Sequence, residues 1–218
     1  LGIALLVLAA AQPRLEQGEE FEENEGIDIM LVLDYSKSMD QEDFFLGGEA
    51  ISRLTALNKA VGDFIENRER DRLGVIGFAR DPYLISPLTS DHDFVTEMMG
   101  EVETKGGTAI GSGMVAAVDT LKKTETETKI MVVVTDGLSN TGVPPMAAAR
   151  LAAEEGMRVY PIEILDYRRL RPENVLDHPL HQIAKMTGGQ FYQAADYESL
   201  QNIYKQIDEL ETSLIKEK

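Results

Sequence analysis

The sequence has no cysteine and only three histidines, His92, His178 and His181. The first absence excludes disulfides, thiolate catalysis and cysteine-ligated zinc or iron, and leaves the redox compartment open. The second leaves little material for a histidine-rich metal site. Basic residues are scarce, 21 against 38 acidic ones, for a net charge of -17. Such a surface repels phosphates and argues against a nucleic-acid partner, while favouring cations and solubility. Several enzyme signatures are missing too. There is no Gly-x-x-x-x-Gly-Lys-[Ser/Thr] loop, and Gly111-Ser-Gly113 is not a Gly-x-Ser-x-Gly nucleophile elbow. Gly107-Thr-Ala-Ile-Gly-Ser-Gly113 follows a loop rather than a strand and has the wrong spacing for a dinucleotide fingerprint.

What is present suffices for one sizeable core: 218 residues, 43% of them hydrophobic. Leu1 to Ala11 is an apolar run followed by Gln12-Pro13-Arg14. Alone it is shorter than the ~20 residues that span a bilayer. It lacks the basic start of a signal peptide. Residues 1–14 are therefore expected to be the end of a truncated transmembrane helix, and 15–26 an acidic, extended linker. The domain proper is expected over 27–218.

Within it, Ile27 to Leu33 is a nearly continuous apolar run, the mark of a central parallel strand buried on both faces. Leu54, Leu57, Ala60, Val61, Phe64 and Ile65 have helical spacing and predict a helix over 51–68. Strands follow at 73–79 and 83–86, joined so tightly at Asp81-Pro82 that they must be antiparallel. Helices at 91–102 and 109–122, a strand at 130–135, a helix at 146–155 and a strand at 158–165 come next. A helix at 180–186, a short strand at 190–193 and a helix at 197–214 complete the pattern. This alternation predicts an α/β fold, a Rossmann-like three-layer sandwich. Its central sheet should be mostly parallel with one antiparallel edge strand, and helices should cover both faces.

In open α/β sheets, ligands bind outside the carboxyl ends of the strands. Three segments bring oxygen-bearing side chains to that edge: Asp34-Tyr35-Ser36-Lys37-Ser38, Gly106-Gly107-Thr108 and Thr135-Asp136-Gly137. Asp34, Ser36 and Ser38 alternate along one tight loop, so their oxygens can converge. Thr108 and Asp136 approach from neighbouring loops, with Gly106, Gly107 and Gly137 expected to let the backbone come close. Two carboxylates and three hydroxyls suit a hard cation, magnesium before calcium or manganese. They leave that cation undercharged, so a carboxylate from another protein can displace one of its waters. Against this stand blander roles: Thr108 as helix N-cap, and Asp136 as turn former.

Asp34-x-Ser36-x-Ser38, Thr108 and Asp136, in this order, resemble the metal-ion-dependent adhesion site of von Willebrand factor A (VWA) domains. The resemblance covers nearly all of 27–212 and is closest to the BatA/BatB-like bacterial aerotolerance proteins. It is carried also by Gly26-Ile-Asp-Ile-Met-Leu-Val-Leu-Asp34, Asp71-Arg-Leu-Gly-Val-Ile-Gly-Phe-Ala79, Gly107-Thr-Ala-Ile-Gly111 and Thr187-Gly-Gly-Gln-Phe191. It implies that Ser36, Ser38 and Thr108 touch the metal, with Asp34 and Asp136 often acting through water. It implies further a non-enzymatic protein-interaction module whose partner, for example another Bat-like or membrane protein, supplies an Asp or Glu. Membrane segments would flank the domain, which would face the periplasm from the inner membrane. Lys37 and Tyr35 depart from the family pattern, where smaller residues are common. So do Arg168, Arg169 and Arg171, a basic patch on an acidic chain.

Two other readings compete. A haloacid-dehalogenase-like phosphatase would place an aspartate nucleophile at Asp34, but Ser36 stands where its general acid belongs. A membrane-tethered scaffold with a vestigial metal site would keep the fold without the chemistry. His178 and His181 could ligate a metal, though Asp177-His178-Pro179 reads as a helix start.

Overall fold

The computed structural model describes residues 26–66, 68, 70–166, 168 and 178–216, with side chains as far as Ser213. The expected end of a membrane helix, nearly all of the acidic linker, Arg169 and Arg171 lie outside these residues.

All seven residues of strand β1 (Asp28–Asp34) are buried. Successive side chains of a strand point to opposite faces. Accordingly Ile29, Leu31 and Leu33 enter one apolar cluster while Met30 and Val32 enter another. A strand with a core on each side has no polar face, which is why the sequence reads as an unbroken apolar run. The main sheet contains five further strands: β4 (Arg72–Phe78), β5 (Pro82–Thr89), β6 (Lys129–Thr135), β7 (Arg158–Ile164) and β8 (Tyr192–Ala194). Their order is β5-β4-β1-β6-β7-β8. Among the described strands of this sheet only β5, at the edge, runs antiparallel to its neighbour.

Among the described residues, six helices cover the sheet. On the face of Ile29 and Leu31 lie α1 (Arg53–Glu66), α2 (His92–Gly100) and α6 (Tyr197–Lys216). On the other lie α3 (Ile110–Leu121), α4 (Pro145–Glu154) and α5 (Pro179–Thr187). Each presents apolar residues three and four apart, as with Leu57, Ala60, Val61 and Phe64 of α1. The three-layer, mostly parallel architecture is the one expected from the sequence.

The main addition is a small antiparallel ribbon, β2 (Phe44–Leu46) paired with β3 (Glu49–Ile51). Gly47 and Gly48 turn it with φ of 61° and 89°, the two positive values a tight hairpin needs. Because Ile51 belongs to this ribbon, α1 starts at Arg53 rather than at Ile51.

From β1 the chain builds outward through β4 and β5, then crosses back to β6 and builds the other way. The connections therefore diverge between the carboxyl ends of β1 and β6, the crevice where such sheets bind ligands. Leu33 is in register with Val134, so Asp34 and Thr135 finish the two strands side by side. Among the described residues no helix is long and apolar enough to cross a membrane.

Candidate metal centre

Asp34 is fully buried at the end of β1. Its Oδ1 accepts the Ser36 backbone N–H at 2.8 Å, and its Oδ2 accepts the Thr135 hydroxyl at 2.7 Å. The first bond tightens the loop so that Ser36 and Ser38 fall on one side, their hydroxyl oxygens 2.9 Å apart. A 3-10 turn over Lys37–Asp40 continues that bend. Ser38 Oγ donates in turn to Asp136 Oδ1 at 2.7 Å, joining the β1 loop to the residue just beyond β6. Burial pushes the Asp34 carboxyl up to about 6, against the pull of hydrogen bonds from Ser36 and Thr135, and the charge of Asp136 adds to the rise. Among the described residues no lysine, arginine or histidine forms an ion pair with Asp34.

Thr108 lies on a loop that is fastened at several points, one of them to the β1 loop. Lys105 N–H donates to Tyr35 O at 2.8 Å, and Ala109 N–H donates to Ala79 O at 2.7 Å. Asn140 brackets Thr108, its side chain accepting from Thr108 N–H and its own N–H donating to Thr108 O, both at 3.0 Å. Gly107 makes the approach possible: its φ is 94°, and a Cβ there would lie 2.8 Å from Arg80 Cα. At Gly106 and Gly137, by contrast, a Cβ would meet nothing within 4 Å, so the close approach expected of all three glycines belongs to Gly107 alone. Nor is Thr108 the cap of α3. Ala109 holds that position with no side-chain cap, which leaves the Thr108 side chain outside the helix. Thr108 is the one member of the set with no direct hydrogen bond to the other four among those observed.

One residue of the site escaped the sequence reading. Arg53, nearly buried, opens α1 and donates from Nη1 to Asp136 Oδ2 at 2.8 Å. Its Nε and Nη2 grip both oxygens of Asp43, at 2.8 and 2.5 Å. A cation in the first turn of a helix opposes the helix dipole, so it needs acidic partners there. That mismatch was the available signal, though it does not name the partners.

The departures noted in the sequence sort themselves out. The Lys37 side chain is 67% exposed, with Nζ 2.9 Å from the Thr104 hydroxyl and 3.4 Å from Asp40. Tyr35 is fully buried, its hydroxyl 3.5 Å from Asn58 of α1. Arg168 pairs with Asp166 and, with Arg53 and Gln41, lines a cleft of about 340 Å³ beside the site. His178 precedes α5, with Pro179 in its first turn, and stacks on Phe191 at 5.2 Å. His181 meets the edge of the same ring, so neither histidine joins the five oxygen-bearing residues.

Among the described residues no cluster of three or more His, Cys, Asp or Glu is suited to a metal. A cation at this edge would therefore lean on hydroxyls, as the two-carboxylate, three-hydroxyl set requires. The spacings are compatible with that use. Neighbouring oxygens around an ion with bonds of 2.0–2.1 Å lie about 2.9 Å apart in an octahedron. Ser36 to Ser38 and Ser38 to Asp136 measure 2.9 and 2.7 Å.

The chain belongs to one family: the von Willebrand factor type A domain model matches residues 28–206. A protein of Borreliella burgdorferi is 28% identical over 199 residues, covering 89% of this chain and 54% of that protein. The chain thus spans about half of that relative's length. A UPF0353 protein of Mycolicibacterium paratuberculosis is 28% identical over 232 residues, 95% of this chain and 67% of that one. Among solved structures, BatB from Bacteroides thetaiotaomicron superposes with a TM-score of 0.70 at 23% identity, covering 86% of this chain and all of that one. An aerotolerance-related membrane protein from Bacteroides fragilis gives 0.67 at 24% identity, covering 83% and 98%. At these identities the two structures speak to the fold.

Proposed function

We propose that this domain is a non-enzymatic protein-interaction module that recruits a partner's Asp or Glu through one divalent cation held by Asp34, Ser36, Ser38, Thr108 and Asp136. Magnesium is the ion the donor set favours, with calcium and manganese as alternatives. The observation that carries the reading is Asp34: a buried carboxylate, without a basic partner among the described residues, beneath the paired Ser36 and Ser38 hydroxyls, which are joined through Ser38 to Asp136. Buried charges are ordinarily paired or coordinate metals.

When bound, the cation would supply an electrophilic position that accepts a carboxylate. The residues of the chain do the rest. Asp34 braces the Ser36 N–H and the Thr135 hydroxyl, so its role is to shape the loop and supply charge from behind. Ser36 and Ser38 present neutral oxygens, and Thr108 completes the rim from a loop held by Asn140 and Ala79. With few carboxylates in the set, the ion would keep charge to share with a partner. A membrane tether is the reading that the apolar run at 1–14 supports, in keeping with the description of one fold neighbour as a membrane protein; placement in the periplasm at the bacterial inner membrane is part of the proposal.

Isothermal titration of the chelator-treated protein with magnesium, manganese and calcium tests the cation. Binding in the wild type, lost in Ser38→Ala, is expected. A pull-down from membrane extract tests the partner, whose recovery should depend on the cation. One observation favours the scaffold reading: Asp136 is already engaged by Arg53 and Ser38. Absence of cation binding in the wild type would leave that reading standing.

A further inference from the structure

The same contact points to a role for Arg53 at the site, resting on the metal-centre reading. Asp136 has two oxygens with different duties. Oδ1 faces Ser38, at 2.7 Å, on the side of the other candidate donors. Oδ2 is held by Arg53 Nη1 at 2.8 Å. Arg53 is itself immobilised, because its other two nitrogens fork onto Asp43. The guanidinium is nearly buried, the Asp136 side chain is 2% exposed, and the contact joins residues 83 apart in sequence. A planar fork bridging two carboxylates is rigid in a way that a lysine ammonium cannot match.

We infer that Arg53 determines which divalent cation the site prefers, by withholding the second oxygen of Asp136. Calcium takes six to eight oxygens at 2.3–2.6 Å and often uses a carboxylate through both oxygens, whereas magnesium keeps six at 2.0–2.1 Å. With Oδ2 bound to Arg53, Asp136 offers one oxygen only. The serine and aspartate oxygens are also packed more closely than the about 3.3 to 3.7 Å between neighbouring oxygens of a six-coordinate calcium ion. Both features disfavour the larger ion. The positive charge of Arg53 weakens binding of either cation equally, so it drops out of the calcium-to-magnesium affinity ratio, and that ratio isolates the geometric effect.

The experiment is titration calorimetry of magnesium and calcium into wild type, Arg53→Met and Asp43→Asn, each checked by circular dichroism for native secondary structure. Arg53→Met should gain affinity for both ions and shift the ratio toward calcium by about tenfold. Asp43→Asn, which loosens Arg53 without removing it, should shift the ratio the same way by less. If Arg53→Met does not fold, Arg53→Lys takes its place, retaining the charge while losing the bridge, and the ratio should again move toward calcium. Cation binding with an unchanged ratio in the folded variants overturns the role of Arg53 alone. No binding of either ion to the wild type overturns the metal-centre reading beneath it.

Discussion

Strand β1 carries a buried aspartate at each end, Asp28 where it begins and Asp34 where it finishes, 1% and 0% exposed. Asp28 lies in register with Arg72 on the neighbouring strand and receives its Nε and Nη2 at 2.8 Å each. The same end of the sheet holds further closed pairs, Arg68 with Asp71 and Arg158 with Glu211, the latter also accepting the Tyr160 hydroxyl. Asp34, seven residues into the same strand, meets only an amide and hydroxyls. Identical side chains on one strand thus have opposite electrostatics. The amino edge settles its charges internally, whereas the carboxyl edge leaves one that an added cation would satisfy. The pairs at Asp28 and Glu211 are structural because guanidinium forks occupy both carboxylate oxygens, and at Asp71 the Ile27 N–H takes the oxygen that Arg68 leaves.

Substitutions at the two ends of the strand should pull this contrast apart, beginning with Asp34. A carboxyl raised from 3.8 to about 6 is a burden on the folded state. The penalty is absent below the ordinary value, grows as pH rises between the two, and is complete above about 6. At 1.36 kcal/mol per unit this amounts to about 3 kcal/mol near pH 8. Asp34→Asn keeps the shape and an oxygen for the Ser36 N–H. In chelator it should therefore be more stable than wild type at pH 8, by about 2 kcal/mol after allowing for a changed bond to Thr135. The advantage should vanish toward pH 4. Urea unfolding at the two pH values measures it, and a variant weaker than wild type at both would show that Asp34 is a structural acceptor instead. Magnesium should raise the stability of the wild type and leave the variant where it was.

At the other end of the strand, Arg72→Met removes the partner of Asp28 and should destabilise the domain by about 2 kcal/mol. The value falls below that for a fully buried pair because the Arg72 side chain is 45% exposed. The loss should be the same with magnesium and with chelator. A cation-dependent loss would mean that the two edges communicate and that the contrast between them is too simple.

How much of this was legible in the sequence follows from the range of each interaction. The buried strands were, because Ile29 to Leu33 or Ile130 to Val134 advertise two-sided burial in five letters. Asp34, Ser36, Ser38 and Asp136 were legible as neighbours because the ends of β1 and β6 meet at one edge whatever the register, whereas Thr108 makes no direct hydrogen bond to them among the described residues. The Asp28–Arg72 pair needed that register, which adjacent runs of apolar residues do not specify. Arg53 was harder still: its partners sit 10 and 83 residues away, just before a ribbon and just beyond a strand. The ribbon itself had a signal in Gly47-Gly48, masked because Ile51 also fits the periodicity of the helix that follows. The role of Gly107, and its absence at Gly106, depended on where Arg80 passes.

The smallest effect belongs to Lys37, whose position between Ser36 and Ser38 suggests an ammonium repelling the ion. Its side chain alternates away from theirs, and Nζ rests between Thr104 and Asp40 in solvent. At such exposure water and salt screen the charge, and a pair of this kind is worth under about 1 kcal/mol. Lys37→Ala should leave unfolding stability within about 0.5 kcal/mol of wild type and change cation affinity less than about threefold. The change should shrink further as sodium chloride is raised, since a charge acting through solvent is screened within about 8 Å at physiological salt. A tenfold gain in affinity that persists in high salt would instead place the ammonium close to the carboxylates in solution, and the carboxyl edge would then resemble the amino edge in supplying its own cation.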